Sequence, residues 1–185
     1  QFHMPDPTVP IADTLGAMNE MVIAGKVRLI GCSNFSADQM REAIKTAKEM
    51  GLKCFVTAQN QWSVLDRDIE KYLVPVCAEN SIGILPYYPL AKGLLTGKYH
   101  RNEVAPDGSR LAGSSDLSGA DFDVLEALAA FAIARGFNLL TLAVSWLARQ
   151  PTVVSVISGV ARVEQLTQNV AAAGWKITAD DLAQI

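Results

Sequence analysis

The sequence predicts an α/β fold, and residues 25–50 provide the two observations that predict it. Val27–Cys32 is a short, mostly apolar run, typical of a strand buried on both faces. The run ends at two small polar residues, Ser33 and Asn34; Ser36 then has the side chain of a helix N-cap, and Ala37–Met50 has the pattern of a helix. Ser33 and Asn34 are therefore expected at the carboxyl end of a strand, where α/β folds bind ligands.

Further strands and helices alternate along the chain. The other predicted strands are Cys54–Gln59, Ile82–Tyr87 and Val153–Ile157. The other predicted helices are Ile11–Ala24, Asp66–Asn80, Asp121–Arg135, Leu139–Arg149, one that follows Ser158–Arg162, and one capped by Thr178. In the first of these, Leu15, Met18, Met21 and Val22 form a buried stripe. In the second, Tyr72 and Leu73 face inward and Pro75 introduces a break or kink. His100–Ala120 has the composition of a long surface loop.

Composition excludes several classes of protein. The net charge of −3 offers no basic surface for nucleic acid, and 185 residues suffice for the core of one domain. The apolar runs are too short to predict a membrane span, and we recognise no signal peptide. Cys32, Cys54 and Cys77 are odd in number and too far apart for a CxxC motif. This spacing favours reduced thiols in a cytoplasmic protein over disulfides or a zinc site.

Five separated segments resemble the aldo-keto reductase family and occur in that family's order. They are QFHMPDP, GKVRLIGCSNFS, AQNQWSVLDRDIE, YYPLAKGLLTGKY and SGVARVEQLTQNV. The resemblance implies a (β/α)8 TIM barrel, in which residues 1–185 form a single domain from the end of strand four through helix eight. Because such a barrel usually needs about 250 residues, the resemblance implies that this chain holds about the C-terminal half of one.

The resemblance assigns one catalytic residue, His3. In the family this histidine belongs to a tetrad and hydrogen-bonds the substrate carbonyl oxygen beside a tyrosine acid. The tyrosine, lysine and aspartate of the tetrad belong to strands that precede this segment, so they correspond to no residue here, and no metal is required. By residue type alone, His3 is an ordinary histidine near a chain terminus.

The resemblance also assigns residues to the nicotinamide and the substrate. Ser33, Asn34 and Gln59 are expected to contact the carboxamide, whose donor and acceptor an amide and short polar groups can satisfy. Tyr87 is expected to stack on the nicotinamide ring, and Trp62 to border the substrate pocket. The alternatives are that the polar residues merely cap strand ends and that Trp62 belongs to the core.

The remaining assignments concern the phosphates and the adenosine of the cofactor. The resemblance implies that the pyrophosphate meets the backbone around Leu90, Gly93 and Leu94 together with Lys92 or Lys98. Glycines allow close approach of backbone to phosphate, and a lysine supplies counter-charge. The adenosine end is expected at Gly159, Arg162, Gln165, Gln168 and Asn169. Arg162 favours NADP, but Gly159 stands where many relatives have a basic residue, so NAD remains open. The alternatives are a plain loop and a solvated helix face.

The expected function is the reduction of a small aldehyde or ketone by NADP(H) in the cytoplasm. The chain is expected to associate with a missing barrel half or with itself, and with neither nucleic acid nor membrane. Two alternatives remain: a non-enzymatic barrel relative that binds nicotinamide, and a structural half-barrel that pairs with another chain.

Overall fold

The computed structural model describes all 185 residues and groups them into two compact units. The first unit comprises residues 1–61, 67–87 and 152–155, and the second comprises residues 62–66, 88–151 and 156–185. The first unit contains α1 (Ile11–Ile23), β1 (Gly31–Ser33), α2 (Ala37–Met50), β2 (Thr57–Gln59), a 3₁₀ helix (Asp68–Lys71), α3 (Leu73–Glu79) and β3 (Gly83–Ile84).

The first unit is built around a parallel sheet in the order β1-β2-β3. Cys32 pairs with Ala58 and Ala58 with Ile84, and all three side chains are fully buried. Single parallel bridges extend this row from Cys32 to Phe2 on one side and from Ile84 to Val153 on the other. Helices alternate with these strands, so the predicted α/β class with a parallel sheet is confirmed.

The strands are shorter than their apolar runs. Val27–Cys32 was expected to be buried on both faces, but β1 begins at Gly31 and Leu29 is 70 % exposed. Val153–Ile157 contributes one bridge, at Val153, rather than a full strand. The physical reason is that an apolar run indicates only which residues can join a sheet. The ladder of backbone hydrogen bonds extends only as far as the neighbouring segment also remains extended beside it.

The ends of α2 follow from local chemistry. The Ser36 hydroxyl accepts a hydrogen bond from the amide of Gln39, and the Gln39 side chain accepts one from the Ser36 amide, which forms a capping box. The helix ends at Gly51, whose φ of +66° belongs to the left-handed region. The predicted bounds of this helix are therefore those observed.

Two predicted helices differ from the observed ones. The run 66–80 is divided into the 3₁₀ helix and α3, with Pro75 in the first turn of α3. Leu73 is buried as expected, but Tyr72 lies at the junction and is 66 % exposed, so its inward orientation was wrong. In α1, Met21 was expected in the buried stripe but is exposed. Asn19 is buried instead, because its side chain hydrogen-bonds the main chain of Lys53.

The second unit is mostly helical. It contains a 3₁₀ helix (Ala91–Thr96), α4 (Ser115–Ser118), α5 (Phe122–Ile133), α6 (Leu139–Ala148), α7 (Val163–Ala171), a 3₁₀ helix (Ala172–Gly174) and α8 (Ala179–Gln184). The Asp121, Asn138 and Thr178 side chains cap α5, α6 and α8. Trp175 stacks on Phe137 with ring centroids 4.5 Å apart. No helix of the chain combines the length and apolar character that crossing a bilayer requires.

The segment 100–120 is more ordered than a plain surface loop. It contains α4, and Leu111 is buried while its amide donates to the Tyr99 hydroxyl at 3.2 Å. Arg101 pairs with Asp123 and Glu126 of α5. These contacts fix both the start and the middle of the segment.

Candidate functional site

Four of the predicted site residues gather at the carboxyl ends of the strands in the first unit. Ser33 ends β1 and Gln59 ends β2, and the two residues are partners in the parallel register. Tyr87 forms a parallel bridge with Gln61 just beyond β2 and β3. Asn34 follows Ser33, and its amide donates to the Gln59 carbonyl at 3.0 Å.

The side chain of Asn34 joins two neighbouring segments. Its Nδ2 donates to the carbonyl of His3 at 2.8 Å, and its Oδ1 accepts from the Tyr87 hydroxyl at 2.8 Å. The backbone of Asn34 is left-handed, with φ +62°, a conformation that asparagine tolerates better than most residues. An amide has two donor hydrogens and two acceptor lone pairs, so each end of this side chain retains one further hydrogen-bonding position.

Asn60 is a polar residue of this site that our sequence reasoning missed. It is 8 % exposed, its Nδ2 donates to the carbonyl of Phe35 at 3.1 Å, and its own carbonyl accepts from the Tyr87 amide at 3.1 Å. The available signal was its position: a second amide residue directly follows Gln59 at a strand end.

His3 lies on the segment that pairs with β1. Its side chain is exposed, and its carbonyl accepts the hydrogen bond from Asn34. The main chain of His3 therefore belongs to the same hydrogen-bond network as the predicted carboxamide ligands.

In the second unit, the predicted phosphate loop has an unusual backbone. Ala91, Lys92 and Gly93 are all left-handed, with φ of +45°, +57° and +112°. The amides of Gly93 and Leu95 both donate to the Leu90 carbonyl, at 2.7 and 3.2 Å. The main-chain hydrogen bonds thus close this loop on itself, and at least these two amides already have acceptors.

The two lysines of this loop have different surroundings. Lys92 forms an ion pair with Asp116, with 2.7 Å between Nζ and the carboxylate oxygen, so its charge is balanced by α4. Lys98 lies over the Tyr99 ring at 5.0 Å from the centroid, a cation–π arrangement. No carboxylate pairs with Lys98 among the ion pairs of the structure, whereas the charge of Lys92 is balanced by Asp116.

The predicted adenosine residues surround the start of α7. Gln165 Oε1 accepts from the amides of Ala161 and Arg162, at 2.8 and 3.1 Å, and Asn169 Nδ2 donates to the Ser158 hydroxyl at 3.0 Å. Gln165 and Asn169 therefore have a structural role in forming this turn. Arg162 and Gln168 are exposed, and Gly159 has open space where a side chain would lie.

Trp62 is 1 % exposed and packs edge to face on Trp146, with ring centroids 5.9 Å apart. This placement agrees with the alternative that Trp62 belongs to the core. The three cysteines are free thiols. Burial raises the pKa of Cys77 to about 11 and also raises the pKa values of Cys32 and Cys54, so none of them is an activated nucleophile.

Comparison with known proteins identifies the family to which this chain belongs. A model of the aldo/keto reductase family matches residues 1–185, and the chain belongs to that family. It is 33 % identical to a probable aldo-keto reductase 1 of Glycine max, over 99 % of this chain and 52 % of the relative. It is 35 % identical to an NADH-specific methylglyoxal reductase of Escherichia coli K12, over 88 % of this chain and 49 % of the relative.

Solved structures agree with this family assignment. The glycerol dehydrogenase AKR11B4 from Gluconobacter oxydans matches with a TM-score of 0.81 and 26 % identity, over 98 % of this chain and 55 % of that one. The chain thus spans about half the length of these relatives. Aldo-keto reductases are oxidoreductases that use nicotinamide cofactors.

Proposed function

We propose that this protein reduces aldehydes or ketones with a nicotinamide cofactor, NADPH in preference to NADH. The observation that carries the proposal is the convergence of Ser33, Asn34, Gln59 and Tyr87 at neighbouring strand ends in a chain of this family. The carboxyl edge of parallel strands is the ligand-binding edge of α/β folds.

The hydrogen-bonding capacity of Asn34 and Gln59 supports contact with a carboxamide. Asn34 retains one donor and one acceptor position after its bonds to His3 and Tyr87. Gln59 would supply a second amide. Tyr87 would hold the ring of the nicotinamide, and His3 would orient the carbonyl oxygen of the substrate through its imidazole. The bound nicotinamide supplies the hydride for the carbonyl carbon.

The residues predicted to meet the phosphates and the adenosine belong to the second unit. Lys98 and the backbone of the loop at Leu90, Gly93 and Leu94 would meet the pyrophosphate, with Lys92 held by its ion pair. Arg162 would contact the 2′-phosphate of NADP, because it is an exposed guanidinium at the start of α7. Gln168 would contact the adenine or ribose.

We propose further that residues 1–185 are about half of one TIM-barrel domain and do not catalyse the reaction alone. Support comes from the half-length match to relatives and from the open side of the sheet at Val153, where the neighbouring Val154 is exposed. In α7, Val163, Leu166 and Val170 form an exposed apolar stripe. The rest of the barrel, or a second copy of this chain, would cover such surfaces.

For this protein, which we propose is cytoplasmic, the test measures cofactor binding, substrate turnover and oligomeric state. NADPH and NADH are titrated by protein fluorescence, cofactor oxidation is followed with a panel of small aldehydes and ketones that includes methylglyoxal, and light scattering gives the oligomeric state. We expect NADPH binding, and turnover only when the remaining barrel is present. Binding without turnover in the complete barrel would indicate a non-enzymatic relative, and absence of binding would indicate a structural half-barrel. If the 185 residues turn over substrate as a monomer, the proposal that they do not catalyse the reaction alone is refuted.

A further inference from the structure

Asn60 connects two of the segments that carry the proposed nicotinamide site, although no role in binding is assigned to it. Its side chain donates to the carbonyl of Phe35, after β1, and its main-chain carbonyl accepts from the amide of Tyr87, after β3. With 8 % exposure, the residue is shielded from water that could replace these bonds.

The bond to Phe35 acts where the backbone most needs support. Asn34 precedes Phe35 and has a left-handed backbone, which persists in a non-glycine residue when its surroundings hold it. One support is the hydrogen bond from the Asn34 amide to the Gln59 carbonyl at 3.0 Å. Asn60 follows Gln59, and its side chain donates to the carbonyl of Phe35, the residue that follows Asn34.

A comparison with a second buried asparagine shows that Asn60 is not optimised for stability. Asn19 donates from Nδ2 to the carbonyls of Leu15 and Lys53 and accepts at Oδ1 from the Lys53 amide, so both ends of its side chain are used. Asn60 Oδ1 is buried without any partner. A buried unpaired acceptor is costly, so the side chain of Asn60 contributes mainly through its donor.

We propose that Asn60 is a positioning residue that holds residues 33–35 in the conformation that presents Asn34 to the nicotinamide carboxamide. This inference rests on the proposed function. Asn60 acts through the carbonyl of Phe35 and through Asn34, and it does not itself need to touch the cofactor.

Three variants of the protein in its complete form test the inference. Asn60→Leu keeps the size of the side chain and removes the donor, and Asn60→Asp keeps the shape and offers no donor when ionised. Both should raise the dissociation constant for NADPH about three- to tenfold, the effect of losing one neutral hydrogen bond. Asn19→Leu is the matched control: it should lower the unfolding midpoint more than Asn60→Leu does and leave the NADPH dissociation constant unchanged.

Hydrogen exchange at the Asn34 amide separates this inference from the proposed function. We expect faster exchange in Asn60→Leu than in the wild type, without cofactor, at conditions where both are folded. Unchanged NADPH affinity or unchanged Asn34 exchange in the Asn60 variants would overturn the inference. A wild-type protein that binds neither NADPH nor NADH would overturn the proposed function, and the exchange rates would still decide whether Asn60 holds the segment.

Discussion

The two compact units differ in the kind of polar interaction that joins distant segments within each of them. In the first unit, side chains bridge distant segments through neutral amides, as in the bonds of Asn34 to His3 and of Asn60 to Phe35. Its ion pairs join residues three or four positions apart. In the second unit, ion pairs span 22 to 46 positions, as between Lys92 and Asp116 and between Arg135 and Asp181.

This difference has physical consequences. Neutral hydrogen bonds are insensitive to salt and to pH between the extremes. Exposed ion pairs are screened by salt and lost when a carboxylate is protonated. The hydrogen bonds around Asn34 in the first unit should therefore persist in salt and mild acid, whereas the ion pairs of the second unit should weaken.

The strongest test of the neutral network is substitution of Asn34. Asn34→Ala loses two hydrogen bonds and places alanine in a left-handed conformation, so the free energy of unfolding should fall by about 2–3 kcal/mol. Affinity for NADPH should fall at least about tenfold. Asn34→Gly loses the same bonds but adopts the left-handed backbone without strain, so its stability loss should be about 1 kcal/mol smaller. Urea unfolding and cofactor titration measure both quantities; equal stability of the two variants would contradict the role assigned to the backbone.

The proposed contact of Arg162 with the 2′-phosphate is tested by the selectivity between two cofactors. Arg162→Ala should weaken NADPH at least about tenfold more than NADH, because a charge-assisted contact typically contributes about 1.5–3 kcal/mol. Arg149→Ala, which removes another exposed arginine of the second unit, serves as the control and should leave the ratio unchanged. Equal weakening of both cofactors by Arg162→Ala would refute the assignment to the 2′-phosphate.

The response to acid should distinguish the neutral hydrogen bonds from the ion pairs. The hydrogen bond from Arg135, followed by that from Thr178, lowers the pKa of Asp181 below its usual 3.8. A lowered pKa in the folded state means that the ionised carboxylate stabilises the protein above its usual pKa, and that this contribution is lost as the pH falls through the folded value.

Unfolding midpoints measured from neutral to acid pH can detect this loss. Asp181→Asn should be less stable than the wild type at neutral pH, and the difference should disappear in acid. Asn19→Leu removes neutral bonds, so its deficit should persist across the same range. A deficit of Asp181→Asn that does not change with pH would show that the charge of this residue is unimportant.

The smallest expected effect comes from adding charge to the second unit. An added Cβ at Gly159 would meet no atom within 4 Å, so Gly159→Arg should be accommodated without loss of stability. The added cation should increase the preference for NADPH over NADH about two- to fivefold, as for an exposed charge contact. Gly159→Gln controls for size. An identical change in the two variants would exclude an electrostatic origin.

Local chemistry in the sequence determined the helix ends. Ser36 with Gln39, and Thr178 with Asp181, form capping boxes from residues three positions apart, so their partners can be identified without any knowledge of the fold. The resemblance of the motifs to the family likewise indicated Ser33, Asn34, Gln59 and Tyr87, which lie at or next to the ends of recognisable apolar runs.

The tertiary structure decided which of these groups have partners and which are buried. Neither the exposure of Leu29 and Tyr72 nor the packing of Trp62 on Trp146 follows from periodicity, because burial depends on segments far away in sequence. For the same reason, the pairing of Lys92 with Asp116 and the bond from Asn60 to Phe35 could not be predicted. Each joins residues 24 or 25 positions apart, and such contacts arise only when the strands and helices have been brought together.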